Sequence, residues 1–357
     1  MDFPIFKTKM EGKDRKFNLT DPKERNNYFY YKAGEEIEKL KDYVKDNTFI
    51  VYLLGKKNSG KGTYSKMLAE LLGADHLEHF SVGDMIRAIS KEIQDPAKKV
   101  ELSVYLEKNY RGWTPLDKLI PVIEGRDTKT LLPTELILAL IKREIGKRTR
   151  KTIFIDGFPR DMDQVSYSLF FRDLIGFRED ADIMAFIDVP TNVIAGRIAG
   201  RRICPICNTS RNLALLPTAK VGYDENTKEF FLICDNPACS GNGVERLVPK
   251  EGDELGIEPI RERLAIDQKL MEKAVELHGI PKMFLRNAMP AEAAKDFVDD
   301  YELTSGYTYT WDAANKKVVI KESPWTVKDD EGRNSVSLQA PAVAVSLIKQ
   351  LVQVLGI

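Results

Sequence analysis

The chain has no net charge to offer a partner: 54 lysines and arginines balance 54 aspartates and glutamates over 357 residues. No overall field draws it toward nucleic acid or an acidic membrane surface, so any recognition of phosphate has to be local. Histidine is scarce. His76, His79 and His278 stand apart without metal-ligand spacing, and each reads as a surface or packing residue. Cysteine is too rare and too clustered for a disulfide framework, because Cys204, Cys207, Cys234 and Cys239 all fall in one stretch. Long apolar runs are also missing. The opening Met-Asp-Phe-Pro-Ile-Phe-Lys holds no leader-like segment, and Lys349 and Gln350 interrupt the closing PAVAVSLIKQLVQVLGI before it reaches bilayer length. The expectation is a cytoplasmic protein with neither membrane nor nucleic acid among its partners.

What is present is an ordinary apolar fraction of 43%, enough for a sizeable core, in a length that suggests two to three structural units. The chain is organised around residues 47–73. An apolar, β-branched run from Phe49 to Leu54 breaks at Gly55 into Gly-Lys-Lys-Asn-Ser-Gly-Lys-Gly-Thr, after which Met67, Leu68, Leu71 and Leu72 recur at helical spacing. That is a buried strand, a glycine-rich loop and a helix. Gly55 and Gly60 let the backbone curl so that N–H groups of Asn58, Ser59, Gly60 and Gly62 face a phosphate, and the helix N-terminus adds partial positive charge. Lys61 reaches the terminal phosphates and Thr63 meets a magnesium ion. Nucleoside triphosphate binding follows.

Around that loop, residues 1–46 read as an appended arm ending in an amphipathic helix, with Ile37, Leu40 and Tyr43 turned inward and a solvated charged face. In HFSVGDMIRAISKEI, Gly83-Asp84 marks a turn before a helix with Arg87 one turn in. Residues 94–130 read as an inserted subdomain, two short amphipathic pieces broken by Pro96, Gly112, Pro115, Pro121 and Gly125. LLPTELILALIKREIGK starts a helix with Thr134 as its N-cap. TRKTIFIDGFPRDMDQ repeats strand-then-glycine and ends its strand on Asp156, where a carboxylate beside the phosphate loop holds magnesium; Arg160 follows beside the same crevice. ADIMAFIDVPT is a third strand, capped by Thr191 or Asn192 before a helix containing VIAGRIAGRR. Strands alternating with helices argue an α/β fold with a parallel sheet. The last core strand lies either in PKMFLRNAMPAEAAKDFVDDYEL or in KKVVIKESPWTVKDD. Residues 307–338 suggest a β-hairpin or small meander around turns at Asp312–Asn315 and Asp329–Gly332, and the closing segment a helix packed on the sheet.

The cysteines form two hooks, Cys204-Pro-Ile-Cys207 and Cys234-Asp-Asn-Pro-Ala-Cys239, separated by 26 residues. Four thiolates in two hooks suit a tetrahedral structural zinc with no open position for catalysis; reduced unliganded thiols or disulfides are the alternatives. The second hook is longer than the usual two-residue gap. RNLALL and EFFLI read as strands joined around Gly222–Asn226, a small sheet that needs the metal to hold its shape.

GKKNSGKGT, VGDMIR, LLPTELI, DGFPRDMDQ, GRIAGRR and the cysteine insertion followed by GDELGIEPIRERL stand in that order over about residues 47–275. On these motifs the chain resembles the adenylate kinase family of nucleoside monophosphate kinases, DGFPR with its downstream glutamine being the most specific. The resemblance implies a P-loop NTPase-type parallel sheet flanked by helices, built from core pieces 47–80, 136–202 and 258–300, with a C-terminal core helix at 341–357. It also implies a helical monophosphate-binding subdomain at 81–135 and a zinc-bearing β lid at 203–257, beside an added hairpin segment at 301–340. The implied reaction is reversible, magnesium-dependent transfer of the γ-phosphate of ATP to AMP, giving two ADP, by a monomer. Two anionic nucleotides meeting head to tail need many cations and no catalytic base.

By the same resemblance, Lys61, Arg160, Arg201 and Arg263 serve the transfer, with Arg197 and Arg201, four apart on a helix face, flanking ATP. Val82, Arg87, Leu131, Leu132, Pro133, Gly157, Phe158, Pro159, Arg160, Gln164, Lys250 and Arg263 line the AMP side, Gln164 reading the adenine edge. Three departures stand out. Val82 replaces the family's threonine before Gly-Asp, and Lys250 replaces a lid arginine, losing the bidentate fork, with one extra residue in Lys-Glu-Gly-Asp-Glu. The segment from Arg87 to Glu135 is longer than usual. Another monophosphate such as UMP or CMP is an alternative substrate, and a P-loop ATPase whose zinc module binds nucleic acid or protein an alternative class. Against the latter, Gly157 and not a water-orienting polar residue follows Asp156, and the cysteine module lacks a basic stripe interleaved with aromatics.

Overall fold

The computed structural model describes residues 3–12, 15–125, 132–148, 151–158 and 180–357. Leu131, Pro159, Arg160 and Gln164 lie outside the described residues. The strand before the loop, Phe49–Gly55, is central because it is apolar on both faces. Phe49, Val51 and Leu53 enter one core while Ile50, Tyr52 and Leu54 enter the other, the two-residue alternation of a pleated strand.

In chain order the elements begin with α1 (Pro22–Asp46), β1 (Phe49–Gly55), α2 (Lys61–Leu72), β2 (Leu77–Ser81), α3 (Val82–Glu92), α4 (Pro96–Asn109), α5 (Leu116–Gly125) and α6 (Thr134–Gly146). Then come β3 (Thr152–Asp156), β4 (Ala181–Asp188), α7 (Thr191–Ala199) and the short strands β5 (Arg201–Ile203), β6 (Ser210–Asn212), β7 (Val221–Asp224), β8 (Glu229–Leu232) and β9 (Val248–Pro249). The chain closes with α8 (Arg261–Val275), β10 (Lys282–Arg286), β11 (Ala288–Pro290), α9 (Ala291–Phe297), β12 (Ser305–Asp312), β13 (Lys317–Pro324), β14 (Thr326–Lys328), β15 (Asn334–Ser337) and α10 (Ala340–Leu355). The main sheet is five-stranded and wholly parallel in the order β10-β4-β1-β3-β2, with helices on both faces. The last core strand is therefore β10. Its Met283 and Leu285 are fully buried, whereas the rival segment KKVVIKESP is mostly exposed and pairs with β12 as a hairpin.

The N-terminal arm is more than an appendage. α1 is two helical runs joined by a kink at Ala33 (φ −149°, ψ 34°). The second is the expected amphipathic one, with Ile37 and Leu40 buried and Tyr43 half-buried. The first adds Tyr28 and Phe29 to the core and is capped by Asp21, which accepts from the Glu24 N–H. α1 packs against α10 and α2. Pro121 lies inside α5 and does not break it, and Pro133 occupies the N-cap position of α6 without a side-chain bond, leaving Thr134 as the first helical residue. Beyond α9, β12 and β13 form one hairpin around residues 312–317, and β14 and β15 a second around residues 329–332.

Candidate active site

Three neighbouring strands end at one crevice, since Leu53 of β1 and Ser81 of β2 both stand in register with Asp156 of β3. Between β1 and α2 the backbone turns left-handed at Asn58 (φ 66°) and Gly60 (φ 97°). Asparagine and glycine are the residues that tolerate this conformation. Gly55 admits no side chain: a Cβ there would lie 2.8 Å from Ser59 Oγ and 3.0 Å from the Ile187 carbonyl. Lys61 folds over the loop, its Nζ donating to the carbonyls of Gly55 at 2.8 Å and Lys56 at 3.1 Å, and it lies 3.7 Å from the Asp156 carboxylate. Thr63 is exposed on the first turn of α2. A helix N-terminus, a curled loop, a lysine and a carboxylate in one place make a cradle for a phosphate chain with its cation.

Several residues that the motifs do not mark hold this cradle. Lys56 is 2% exposed; its ammonium donates to the Val189 carbonyl at 3.1 Å and to Asp330 at 2.5 Å. Burial by itself would raise the Asp330 carboxyl, but hydrogen bonds from Lys56 and the Thr191 N–H outweigh it and hold the group below its ordinary value. The Lys57 N–H donates to Asp267 Oδ2 at 2.8 Å, and the other oxygen of that carboxylate pairs with Arg263 Nε at 2.8 Å. Asp267 thus ties α8 and its arginine to the loop. His79 is more than a packing residue: its Nδ1 shares a hydrogen bond of 2.9 Å with Ser65 Oγ, and burial pulls its pKa down against the opposing pull of Asp156. Asp267 had a legible signal, four residues after Arg263 on a helix. Asp330 had none, being 274 residues from Lys56.

The arginines fall into separate settings. Arg197 on α7 donates to Asn287 Oδ1 at 2.8 Å and lies beside Tyr64 of α2. Arg201 does not share its helix. α7 stops at Ala199, and Arg201 opens β5, held by Asp253 through two hydrogen bonds of 2.6 Å. Asn212 closes the helix there: its Nδ2 donates to the carbonyls of Gly196 at 3.1 Å and Arg197 at 2.9 Å, and its backbone pairs with Arg201 in the β5–β6 ladder. Arg87 is half-exposed on α3 and paired with Asp84 of its own turn. Val82 is fully buried, Leu132 and Phe158 are buried, Gly157 is left-handed (φ 91°), and Lys250 is exposed just after β9.

The two cysteine hooks converge. Cys204 and Cys239 sulfurs lie 3.8 Å apart, as do those of Cys207 and Cys234, and all four fall within 4.8 Å of one another. A tetrahedron of sulfurs around zinc at about 2.3 Å has edges of about 3.8 Å, so the donor set fits that ion despite the longer second hook. A hydrogen bond to Thr209 draws the Cys207 thiol down to about 6, while burial pushes Cys234 up to about 12. Three cysteines join only Leu232 and Leu247 as the buried members of this small core. The expected strands are redrawn. EFFLI pairs with Val221–Asp224 across a turn at residues 225–228, and RNLALL contributes only its first residues to β6. Asn212 turns it away, its Oδ1 accepting the N–H groups of Ala214 and Leu215, both at 2.9 Å. The added hairpin leans on this module: Trp311 stacks on Tyr223 with ring centroids 4.9 Å apart, and the Tyr309 hydroxyl donates to the Leu213 carbonyl at 2.5 Å.

A parallel sheet with a glycine loop running from its central strand into a helix defines a P-loop nucleotide-binding protein. The curated relatives narrow the class. An adenylate kinase of Hydrogenobaculum sp. is 32% identical over 189 residues, 53% of this chain and 72% of that one. An adenylate kinase of Ruminiclostridium cellulolyticum is 30% identical over 188 residues, covering 52% and 72% respectively. One of Clostridium acetobutylicum is 30% identical over 226 residues, covering 63% and 84%. No protein-family model matches the chain. The chain belongs to the adenylate kinase family. Among the described residues, no helix is long and apolar enough to cross a membrane.

Proposed function

We propose that the protein is a cytoplasmic, monomeric adenylate kinase, transferring the γ-phosphate of MgATP reversibly to AMP to give two ADP. The observation that carries this reading is the crevice where Lys61, Asp156 and the curled loop meet, in a chain of this family. The triphosphate takes the place that the Gly55 and Lys56 carbonyls now have at the Lys61 ammonium, exchanging dipole partners for full charges. Thr63 and Asp156 are the groups that would hold magnesium, which supplies charge neutralisation for the phosphates. Arg197 and Arg201 serve the ATP side. Arg263, kept in register with the loop by Asp267, serves the transferring phosphate with Arg160, and the remaining charge is carried by Lys61.

On the acceptor side the subdomain of residues 81–135 would close with Val82, Arg87, Leu131, Leu132 and Pro133. Gly157, Phe158, Pro159 and Gln164 would serve the same nucleotide, with Lys250 from the lid. The cysteines hold a structural zinc that gives the lid of residues 203–257 its shape; the sulfur separations of 3.8 Å support it. Closure of that lid excludes water, so phosphate passes to AMP and not to solvent.

A coupled assay of ADP formation, with and without AMP, tests the reading. Dependence on AMP, abolished in Lys61→Met with the fold intact, is the expected result. ATP hydrolysis indifferent to AMP would overturn it, and a panel in which UMP or CMP outperforms AMP would reassign the acceptor.

A further inference from the structure

The loop and the C-terminal addition meet at one side chain. Lys56 follows Gly55 directly, is 2% exposed, and its ammonium lies 2.5 Å from Asp330 on the turn between β14 and β15. A lysine this deeply buried needs anionic partners; Asp188 at the end of β4 lies within electrostatic reach, but the carboxylate hydrogen-bonded to the ammonium comes from outside the sheet.

The same carboxylate has a second contact. Helix α7 follows Pro190, whose side chain has no oxygen to accept the first free N–H groups of the helix. Asp330 Oδ1 accepts the Thr191 N–H at 2.8 Å, capping the helix from 139 residues away. Two neighbouring contacts tighten the joint: Asn192 Nδ2 donates to the Lys328 carbonyl at 2.8 Å, and Trp325 packs so closely on Gly196 that a Cβ there would lie 2.8 Å from the ring. The turn is itself braced. Asp329 accepts from the N–H groups of Glu331 at 3.1 Å and Arg333 at 2.8 Å, and from Ser335 Oγ at 3.0 Å.

We propose that Asp330 is a positioning residue for the transfer reaction: through Lys56 it sets the shape of the phosphate loop, and through Thr191 it holds the Arg197-bearing helix against that loop. The addition at residues 326–337 then completes the ATP side of the cleft from behind. The inference rests on the kinase reading, but nucleotide binding tests it without turnover.

The experiment compares the wild type with Asp330→Asn, Asp330→Ala, Lys56→Met and the Lys56→Met/Asp330→Ala double variant. Each is measured for KM of MgATP, KM of AMP, kcat and equilibrium binding of MgATP alone, with a thermal melt as the check on folding. Loss of one charge-assisted contact that shapes the loop should weaken MgATP binding, in KM and Kd alike, by about tenfold in Asp330→Ala. The KM of AMP should stay within about twofold, and Asp330→Asn, still able to cap Thr191, should fall between. In the Lys56→Met background Asp330→Ala should cost less than it does alone, because the route through Lys56 is already cut and only the Thr191 cap remains to be lost. An unchanged KM and Kd for MgATP in folded Asp330→Ala, or full additivity with Lys56→Met, would overturn the inference. Weakened MgATP binding in Asp330→Ala, alongside a wild type that makes no ADP, would instead remove the kinase reading and leave Asp330's role at the nucleotide loop standing.

Discussion

Lys32→Met is the sharpest probe of whether the segments outside the family core fold with it. Lys32 lies on α1 with its side chain 1% exposed, its Nζ 2.6 Å from Asp299 Oδ2 and 3.3 Å from Glu302 Oε1, and it donates to the Thr8 carbonyl at 2.8 Å. Glu302 is completely buried and also accepts from the Tyr28 hydroxyl at 2.5 Å, Thr8 Oγ1 at 2.8 Å and the Asp299 N–H at 2.7 Å. Removing the cation strands a carboxylate without counter-charge, a loss of about 3–5 kcal/mol in buried pairs. The three remaining donors still solvate Glu302, so the lower end, about 3 kcal/mol, is expected. Tyr28→Phe removes one hydrogen bond to a charged group and should cost about 1.5–3 kcal/mol. Adding Glu302→Gln to Lys32→Met neutralises the stranded charge and should recover part of the loss, giving a coupling of about 2 kcal/mol. Urea unfolding followed by far-ultraviolet circular dichroism and tryptophan fluorescence reads these as shifts of one shared midpoint. A loss below about 1 kcal/mol for Lys32→Met, or an early separate transition in the wild type, would refute the claim that arm and extension belong to one cooperative core.

Gly55→Ala should raise the KM for MgATP and lower stability by about 1–3 kcal/mol, since its Cβ would press on Ser59 Oγ and the Ile187 carbonyl, the latter backbone that cannot swing aside; wild-type kinetics would contradict that packing. Cys204→Ser should lower the zinc content of purified protein and its thermal midpoint, while the chemical step survives where the lid still closes; metal analysis finding no zinc in the wild type would end that idea. His79, whose pKa is held below its usual 6.5 by burial, opposed by Asp156 and Glu78 and assisted by Lys66 and Lys61, favours the neutral ring in the folded state. Its stabilisation is therefore complete above pH 6.5 and lost as the pH falls through the lower folded value. His79→Gln should flatten the stability profile on that acid side, and an unchanged profile would count against the assignment.

What could be read along the chain was whatever local spacing enforces. The β-branched run, the glycines of the loop and Lys61 are set by residues a few positions apart, and so, within its own strand-then-glycine segment, is Asp156 at the end of β3. The hairpins at Asp312–Asn315 and Asp329–Gly332 were legible for the same reason, turn formers lying between alternating strands. Arg201 escaped because the last carbonyls of α7 are taken up by Asn212 from a strand that follows it. The choice of β10 over β13 depended on which apolar strand found a buried neighbour in β4, and pairing of that kind leaves no mark in either segment alone.

The sequence by itself determined that this chain cradles a phosphate, since that chemistry resides in a strand, a loop and a helix turn consecutive in the backbone. Only the tertiary structure decided what holds the cradle in place. Asp267 and Asp330 reach the loop from positions 210 and 274 residues away, and a carboxylate buried against a distant amide or ammonium is chosen by the packing of whole elements, not by the residues beside it.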